Sequence, residues 1–286
     1  MSDDEYEVIL VRYGTQETVR SDIFLNYPVY GADDGPITLD FFFWVVRGRD
    51  RTFIVDVGFS SESGRKRAHT LLLDPIEALR TLGIDPTAEN NVIITHAHYD
   101  HIGNLAALPN SRFMMSWREY EFWTSELAGK ELFRFASEVR EIEQLKVALR
   151  EERLRFVEHG HIPAPGITIL EMAGHTPGQL AVVVETSSGP VLLASDAVHF
   201  YEELERDMPF ALMSDLPQMY TSYATIRDMQ LTRPHHLVTG HDPATLQRFP
   251  PLPGPLAAHA AVIGRLPISA ATKEDSQCSQ PGNSVS

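Results

Sequence analysis

The chain has 286 residues, of which 43% are hydrophobic and 22% are charged, an ordinary balance for a globular protein. Its formal net charge of −15 disfavours nucleic acids and anionic membranes as partners, because positive charge is what binds both. The single cysteine, Cys278, excludes a disulfide within the chain. No apolar run approaches the roughly 18 residues of a membrane span, and no apolar segment follows the acidic start as in a secretory signal, so we expect a cytoplasmic protein.

The first half of the chain predicts short strands separated by turns. A helix is predicted at Asp74–Leu82, since Asp74 is a good capping residue and Pro75 suits the first turn. The strand predicted at Leu39–Val46 is unusually aromatic, with Phe41, Phe42, Phe43 and Trp44 in succession. Apolar and β-branched runs predict strands at Glu7–Val11, Leu39–Val46, Thr52–Val57, Asn91–Thr95 and Phe113–Ser116.

The second half begins with a helical segment. Helix-forming residues dominate from Trp117 to about Arg153 with a break near Gly129, which predicts a helical cap inserted at about residues 117–153. A further helix is predicted at Pro217–Leu231, and strands are predicted at Ile167–Met172, Leu180–Glu185, Val191–Ala194 and His236–Thr239. No linker separates the two halves, so we expect one domain over residues 1–268, in which helices cover sheets, and a disordered polar tail over 269–286.

One short segment, H-A-H-Y-D-H, concentrates side chains that bind metals. His96, His98, Asp100 and His101 lie within its six positions. Imidazole and carboxylate are the ligands that zinc prefers where no thiolate is present. Four such side chains do not fit comfortably around one tetrahedral ion, so His96 and His98 can face one ion while Asp100 and His101 face a second. The alternative is a polar surface loop with chance histidines.

Three later residues of the same kind each follow a predicted strand. They are His175 in G-H-T-P-G, Asp196 in S-D-A, and His241 in G-H-D. A carboxylate at Asp196 can bridge two cations with its two oxygens. Taken singly, each residue is more often structural than a ligand. Side chains at the ends of strands on one sheet edge converge, however, so together with the first segment they predict a site for two metal ions.

The segment Thr95–His101 resembles the H-x-H-x-D-H signature of the metallo-β-lactamase superfamily, and Asp56-Val57-Gly58 is similar to its upstream D-x-G. The resemblance spans roughly residues 40–245. It implies an α+β fold, an αββα sandwich in which two mixed β-sheets pack face to face with helices on the outer faces. It also implies the ligand roles: His96, His98 and His175 on one zinc ion, Asp100, His101 and His241 on the other, Asp196 bridging them, and Asp56 orienting the ligand loop.

Within this superfamily the chain is similar to N-acyl homoserine lactonases and relatives such as 4-pyridoxolactonase, through its aromatic strand, the segment 208–211 and the G-H-D ending. The resemblance implies that a hydroxide bridging two Zn²⁺ ions opens a lactone ring, with Asp100 relaying a proton. Iron, manganese and cobalt are alternative metals. These lactonases generally carry a tyrosine three residues after the bridging aspartate. Here that position is His199, so His199 or the nearby Tyr201 is expected to donate a hydrogen bond to the substrate carbonyl.

The substrate pocket is less well defined by the sequence. We predict that Phe42, Trp117, Met208 and Phe210 line it, taken from a wider set that also contains Phe41, Phe43, Phe122, Trp123 and Met213. The other histidines, His69 among them, receive no role. The alternative functions are hydrolysis of a fused aromatic lactone, thioester hydrolysis of the glyoxalase II kind, β-lactam hydrolysis, one-iron sulfur dioxygenation and non-catalytic metal binding. A small cyclic ester is the expected partner, and a homodimer is left open.

Overall fold

The computed structural model describes residues 5–264, so the predicted tail at 269–286 and Cys278 lie outside the described residues. The strands are β1 Glu7–Val19, β2 Pro36–Arg47, β3 Thr52–Val55, β4 Thr70–Leu71, β5 Asn91–Ile93, β6 Arg112–Ser116, β7 Leu154–Val157, β8 His161–Ala164, β9 Ile167–Glu171, β10 Leu180–Val184, β11 Val191–Ser195, β12 His236–Thr239 and β13 Ala260–Ile263.

The α-helices of the described residues are α1 Arg20–Ile23, α2 Ser61–Lys66, α3 Pro75–Thr81, α4 Tyr99–Ile102, α5 Trp117–Trp123, α6 Glu131–Arg134, α7 Val139–Arg150, α8 Tyr201–Arg206, α9 Leu216–Thr232 and α10 Ala244–Gln247. Short 3-10 helices lie at Tyr27–Tyr30, Leu105–Ala107 and Leu127–Gly129. As predicted, Asp74 caps α3, where its side chain accepts hydrogen bonds from the backbone N–H groups of Ile76 and Glu77.

The strands form two mixed sheets. The first has the order β13-β1-β2-β3-β5-β6-β7, with β4 paired to β1, and the second has the order β12-β11-β10-β9-β8. In the first sheet β3, β5, β6 and β7 run parallel, while β1 and β2 are antiparallel with Val8 opposite Val46. In the second sheet only β11 and β12 are parallel among the described pairs. The carboxyl ends of β3 and β5 therefore share an edge, as do those of β11 and β12.

Three apolar clusters separate the layers of the fold. Along β2, Phe41 and Phe43 face the helices on the first sheet, whereas Phe42 and Trp44 face the second sheet. This alternation follows from the two-residue period of a strand, and it explains why β2 is apolar at consecutive positions: both of its faces are buried. A third cluster packs α9 on the second sheet, with Tyr223 among its buried residues. The predicted αββα sandwich is confirmed.

Several elements differ from the sequence prediction. Strands β4, β7, β8 and β13 were not predicted; β8 contains Pro163 and lies at a sheet edge, where proline is tolerated. The helical segment between β6 and β7 begins with α5 and ends with α7, close to the predicted 117–153. We call this segment the cap. No helix among residues 5–264 is long and apolar enough to cross a membrane.

Candidate metal centre

All seven predicted ligand residues lie together at the edge where the two sheets meet. His96 and His98 follow β5, and Asp196 follows β11 directly. His175 comes after β9 and His241 after β12. Each of the seven is buried, with at most 6% of its surface exposed. The sequence pattern of ligand types at strand ends therefore corresponds to one compact cluster in the fold.

The first ligand group contains His96, His98, His175 and Asp196, whose ligand atoms all lie within 4.8 Å of one another. His98 Nδ1 is 3.0 Å from His96 Nε2 and 2.9 Å from His175 Nε2. Asp196 Oδ2 lies 3.4 Å from His175 Nε2 and 3.7 Å from His96 Nε2. Three ring nitrogens and one carboxylate oxygen thus surround a common point, a geometry suited to a tetrahedral cation.

The second ligand group contains Asp100, His101, Asp196 and His241, within the same 4.8 Å limit. His101 Nε2 is 3.3 Å from Asp196 Oδ1 and 3.6 Å from Asp100 Oδ2. His241 Nε2 is 3.1 Å from Asp196 Oδ2 and 3.7 Å from Asp100 Oδ2. Asp196 belongs to both groups, so its carboxylate is placed to bridge two cations.

Hydrogen bonds on the outer side of two imidazoles fix which ring nitrogen faces the centre. His175 Nδ1 lies 2.9 Å from the carbonyl oxygen of Leu212, and His241 Nδ1 lies 2.8 Å from that of Asp40. A carbonyl can only accept, so each Nδ1 carries the proton and each Nε2 presents a lone pair inward. His101 Nε2 is buried without a hydrogen-bond partner. This arrangement of inward lone pairs and an unpartnered ring nitrogen fits a bound divalent cation.

Asp56 holds the first ligand loop, residues 95–101, through contacts with Thr95 and His101. Its carboxylate accepts hydrogen bonds from Thr95 N at 2.8 Å and Thr95 Oγ1 at 2.7 Å, and it lies 2.7 Å from His101 Nδ1.

Asp56 and Ser195 both have a left-handed backbone, with φ of 61° and 46°. Such strain is uncommon for non-glycine residues and concentrates at functional sites. Gly240 passes so close to Asp196 that an added Cβ would lie 2.5 Å from its Oδ1.

The electrostatics of the first ligand group favour the protonation states that metals require. Burial lowers the pKa of His96 and His175 well below the ordinary value, and it lowers the pKa of His98 to about 4. Burial acts to raise the pKa of Asp196, but the surrounding imidazoles, with His241 first, outweigh it and hold that pKa well below its usual range. In the second group, burial acts to lower the pKa of His101, but the carboxylates of Asp196, Asp100 and Asp56 outweigh it and raise that pKa well above its ordinary value. The first group therefore presents neutral imidazoles around an ionised carboxylate, whereas His101 would release a proton on binding a metal ion.

His199, the residue at the position of the family tyrosine, lies beside this cluster. Its Nε2 is 3.3 Å from Asp196 Oδ2, and its Nδ1 is 3.2 Å from Glu203 Oε1. Phe210 stacks on the ring with a centroid distance of 3.7 Å and an interplanar angle of 9°. Burial acts to lower the pKa of His199, but the carboxylates of Glu203 and Asp196 outweigh it and raise this pKa to about 9.

Tyr201, the other residue predicted to act on the substrate, points elsewhere. It is the first residue of α8, and its hydroxyl donates to the Leu237 carbonyl at 3.0 Å, on the second sheet. The Arg248 guanidinium covers its ring at 3.4 Å. Contrary to the prediction, Tyr201 therefore lies away from the ligand cluster, because the start of α8 turns its side chain toward β12.

A large surface cavity of about 1030 Å³ lies next to the first ligand loop, although none of the seven ligand side chains lines it. Tyr99, which follows His98, lines it together with Phe210 and Leu212. The cap contributes much of the wall, including Phe135 and Val139. Of the four residues predicted to line a substrate pocket, Phe210 lies in this wall.

The other predicted pocket residues lie outside this cavity. Phe42 and Met208 are at most 1% exposed. Phe42 belongs to the apolar cluster between the two sheets, and Met208 belongs to the cluster on the outer face of the first sheet. Trp117 is half exposed on the outer side of the cap, where it packs on Phe156 at 4.9 Å. The sequence reasoning also missed a residue: His69 lines the cavity, with Nε2 at 2.7 Å from the Tyr99 hydroxyl.

Two buried carboxylates near the site were also missed. Glu203 accepts hydrogen bonds from the backbone N–H groups of His199 and Phe200, both at 2.9 Å. Glu119 accepts hydrogen bonds from the backbone of two ligand loops. The only signal in the sequence is that each glutamate sits in the first turn of a helix, a position that is usually exposed.

Comparison with known proteins agrees with this geometry. The family model of the metallo-β-lactamase superfamily matches residues 42–241. An N-acyl homoserine lactonase of a Bacillus species is 27% identical over 168 residues, 58% of this chain and 61% of the relative. The N-acyl homoserine lactonase AttM of Azorhizobium caulinodans is 28% identical over 184 residues, 63% of this chain and 68% of the relative. The chain thus spans about three fifths of the length of the Bacillus relative.

Solved structures share the fold. The structure of a quorum-quenching N-acyl homoserine lactone lactonase superposes with a TM-score of 0.72 at 20% identity, covering 87% of this chain and 97% of that chain. AidC, a dizinc quorum-quenching lactonase, superposes with a TM-score of 0.67 at 18% identity, covering 85% and 90%. With the motif order, the ligand cluster and the family match together, this chain belongs to the metallo-β-lactamase superfamily.

Proposed function

We propose that this protein is a two-metal hydrolase that opens the ring of an N-acyl homoserine lactone or a related cyclic ester. The observation that carries the proposal is the pair of ligand groups that share Asp196, near a large cavity that is lined by Tyr99 of the ligand loop and by Phe210. The names of the curated relatives support the same substrate class. Zinc is the proposed metal, since imidazole and carboxylate ligands without thiolates suit it.

The chemistry divides between the metals and the chain. When bound, two divalent cations would supply an activated water at neutral pH and would polarise the ester carbonyl. His199 is the proposed donor of a hydrogen bond to the carbonyl oxygen as it gains charge, which is supported by the absence of a hydrogen bond of good geometry at either of its ring nitrogens. Asp100, with its carboxylate at the edge of the second group, is the proposed proton relay to the leaving alkoxide.

The cavity supports a substrate that carries a substituent beyond the lactone ring. Its volume of about 1030 Å³ is at the upper end of the range of roughly 300–1,000 Å³ that is typical of ligand pockets. Apolar side chains form much of the wall from the first sheet to the cap, namely Ile23, Leu39, Phe135, Val139, Phe210 and Leu212. This lining favours an acyl chain over a compact fused aromatic lactone.

The charges in the same wall disfavour a glutathione thioester. A substrate of that kind needs free cations for its carboxylates. Lys66 lies 2.8 Å from Glu138, and Arg67 is paired with the same carboxylate. Arg67 also stacks on the Tyr99 ring at 3.8 Å. These two cations are thus already committed to partners within the protein. Arg134, the third cation of the wall, makes no ion pair among the described residues, so the wall offers one free cation for the two carboxylates of glutathione.

The test is a turnover screen with the zinc-loaded protein. Ring opening releases acid, so a pH-indicator assay on acyl homoserine lactones of increasing chain length, on a fused aromatic lactone and on a glutathione thioester compares their kcat/KM directly. We expect the acyl homoserine lactones to rank first and Asp196→Ala to lose both metal and activity. Preference for the thioester, or full activity after exhaustive chelation, contradicts the proposal.

A further inference from the structure

Glu119 makes a set of contacts that the proposed chemistry does not use. The residue lies in the first turn of α5 and is fully buried. Its Oε1 accepts hydrogen bonds from Ala97 N at 2.9 Å and from Trp123 Nε1 at 2.6 Å, and its Oε2 accepts one from Gly178 N at 2.9 Å. A buried carboxylate is costly unless donors satisfy it, and here three N–H groups do so.

The two backbone donors belong to different metal-binding loops. Ala97 lies between His96 and His98, and Gly178 lies three residues after His175. Glu119 is therefore 22 residues away from Ala97 in the sequence and 59 residues away from Gly178, and its carboxylate binds both. His96, His98 and His175 of these loops belong to the first ligand group, whereas Asp100 and His101 at the far end of the first loop belong to the second. Among the residues that the structure describes, Glu119 makes no hydrogen bond to Asp100, His101 or His241.

The packing around Glu119 leaves little freedom. An added Cβ at Gly178 would lie 2.4 Å from Glu119 N, so the loop and the helix touch backbone to backbone. Trp123, one turn further along α5, donates to Glu119 and sets its ring edge-on to His98 at 5.1 Å. The start of the cap and the two histidine loops are thus joined in one tightly packed unit.

We propose that Glu119 is a positioning residue that holds the two histidine loops of the first ligand group at the separation that a metal ion requires. The inference rests on the proposed two-metal site, although not on the identity of the substrate. Groups that orient metal ligands typically change metal affinity about 10–100-fold when they are altered. Because the two loop amides that Glu119 holds lie near ligands of the first group, its loss should weaken the metal-binding step of that group more than the other.

The test uses Glu119→Gln, which keeps the size of the side chain but leaves a single oxygen to accept hydrogen bonds, so one loop amide loses its partner. Zinc affinity is measured for both binding steps by competition with a chromophoric chelator. His175→Ala and His241→Ala identify which step belongs to which group. Glu141→Gln is the matched control, because Glu141 is also a buried carboxylate but bonds only to Ser63.

We expect Glu119→Gln to weaken zinc affinity about 10–100-fold in the binding step of the first ligand group, which is the step that His241→Ala leaves intact. The zinc affinity of the other step should change less than threefold. Equal weakening of both steps, or no weakening of either, overturns the inference. A wild-type protein that fails to bind two zinc ions would instead overturn the proposed function.

A second measurement needs no variant and covers the case in which Glu119→Gln does not fold. If the carboxylate holds the loops by itself, the amide hydrogens of Ala97 and Gly178 stay protected from exchange after the wild-type protein is stripped of metal. Exchange of both amides at the rate of exposed loops in the metal-free protein overturns the inference, because the metal and not Glu119 would then order these loops.

Discussion

Glu141, in α7 of the cap, makes stability depend on pH in a direction that is unusual for a carboxylate. Its side chain is 6% exposed; Oε1 accepts a hydrogen bond from Ser63 Oγ at 3.1 Å, while Oε2 is buried without a partner. Burial, aided by the nearby charge of Glu138, raises the pKa of Glu141 from 4.5 to about 8. The folded protein therefore keeps a proton that the unfolded chain releases over this range.

The sign and the size of the effect follow from this pKa. Between pH 4.5 and about 8 the folded state binds more protons than the unfolded state, so the contribution of Glu141 is fully present below pH 4.5 and is lost as the pH rises to about 8. A tenfold change in proton affinity corresponds to about 1.4 kcal/mol, so a pKa that rises from 4.5 to about 8 corresponds to roughly 5 kcal/mol of folding free energy. Water entry around the ionised group reduces this energy, so we expect the pH-dependent contribution of Glu141 to stability to be about 2–5 kcal/mol.

The experiment compares the wild type with Glu141→Gln, in which the side chain cannot ionise. Urea unfolding of the metal-free proteins at pH 5, 6.5 and 8.5 gives the free energy of unfolding at each pH. Both proteins contain the same ligand cluster, so its titration cancels in the difference. We expect the variant to gain stability relative to the wild type as the pH rises.

Glu138→Gln provides a control whose effect should not change over this pH range. Burial acts to raise the pKa of Glu138, but its hydrogen bonds with Lys66 and Arg67 outweigh it and lower that pKa. Its contribution to stability is lost only as the pH falls below the ordinary glutamate value of 4.5, so the destabilisation by Glu138→Gln should be the same at pH 5, 6.5 and 8.5. A difference between Glu141→Gln and the wild type that stays flat from pH 5 to 8.5 refutes the reasoning for Glu141.

Three further predictions concern the site. His199→Phe keeps a ring against Phe210 but removes both nitrogens, so kcat on the best lactone should fall about 10²–10³-fold with unchanged zinc content; an unchanged kcat contradicts the proposed donor. Removing metal with a chelator should lower Tm by about 5–10 °C in calorimetry, reversibly on adding Zn²⁺, because binding stabilises only the folded state. Phe135→Ser, at the exposed rim of the cavity, should raise KM about 5–10-fold for long-chain lactones only, and an equal rise for short chains would argue against acyl-chain contact.

The clustering of seven metal-binding side chains was predicted from their residue types and from their positions at or after strand ends, since strands of one sheet bring these ends to one edge. The two-sheet sandwich was implied by the resemblance to the superfamily. The run Phe41–Val46 of β2, apolar at each position, is explained by the burial of both faces of that strand.

Residues that act through long-range packing could not be predicted in this way. Glu119 is fully buried, while Glu121, two positions later, is exposed, and nothing in the local composition of the helix separates them. Tyr201 was assigned to the site because it is close to His199 in sequence, but α8 starts there and rotates the side chain away. Phe42 was assigned to the pocket because it is aromatic, yet neighbouring positions on a strand face opposite layers.

The position of Glu119 divides the cap into two parts with different tolerance to change. Glu119 and Trp123 lie before residue 124, whereas the cap residues that line the cavity lie at 131–139. Within the latter segment the Ala136 carbonyl accepts a hydrogen bond from Tyr99 N in the first ligand loop at 3.0 Å, so residues 124–135 are the part that can change without loss of a contact to that loop. Under the proposed function, exchange of the segment 124–135 between related enzymes should alter which esters are accepted while the ligand cluster stays intact, and this segment is the natural place for a chimera or a directed-evolution library.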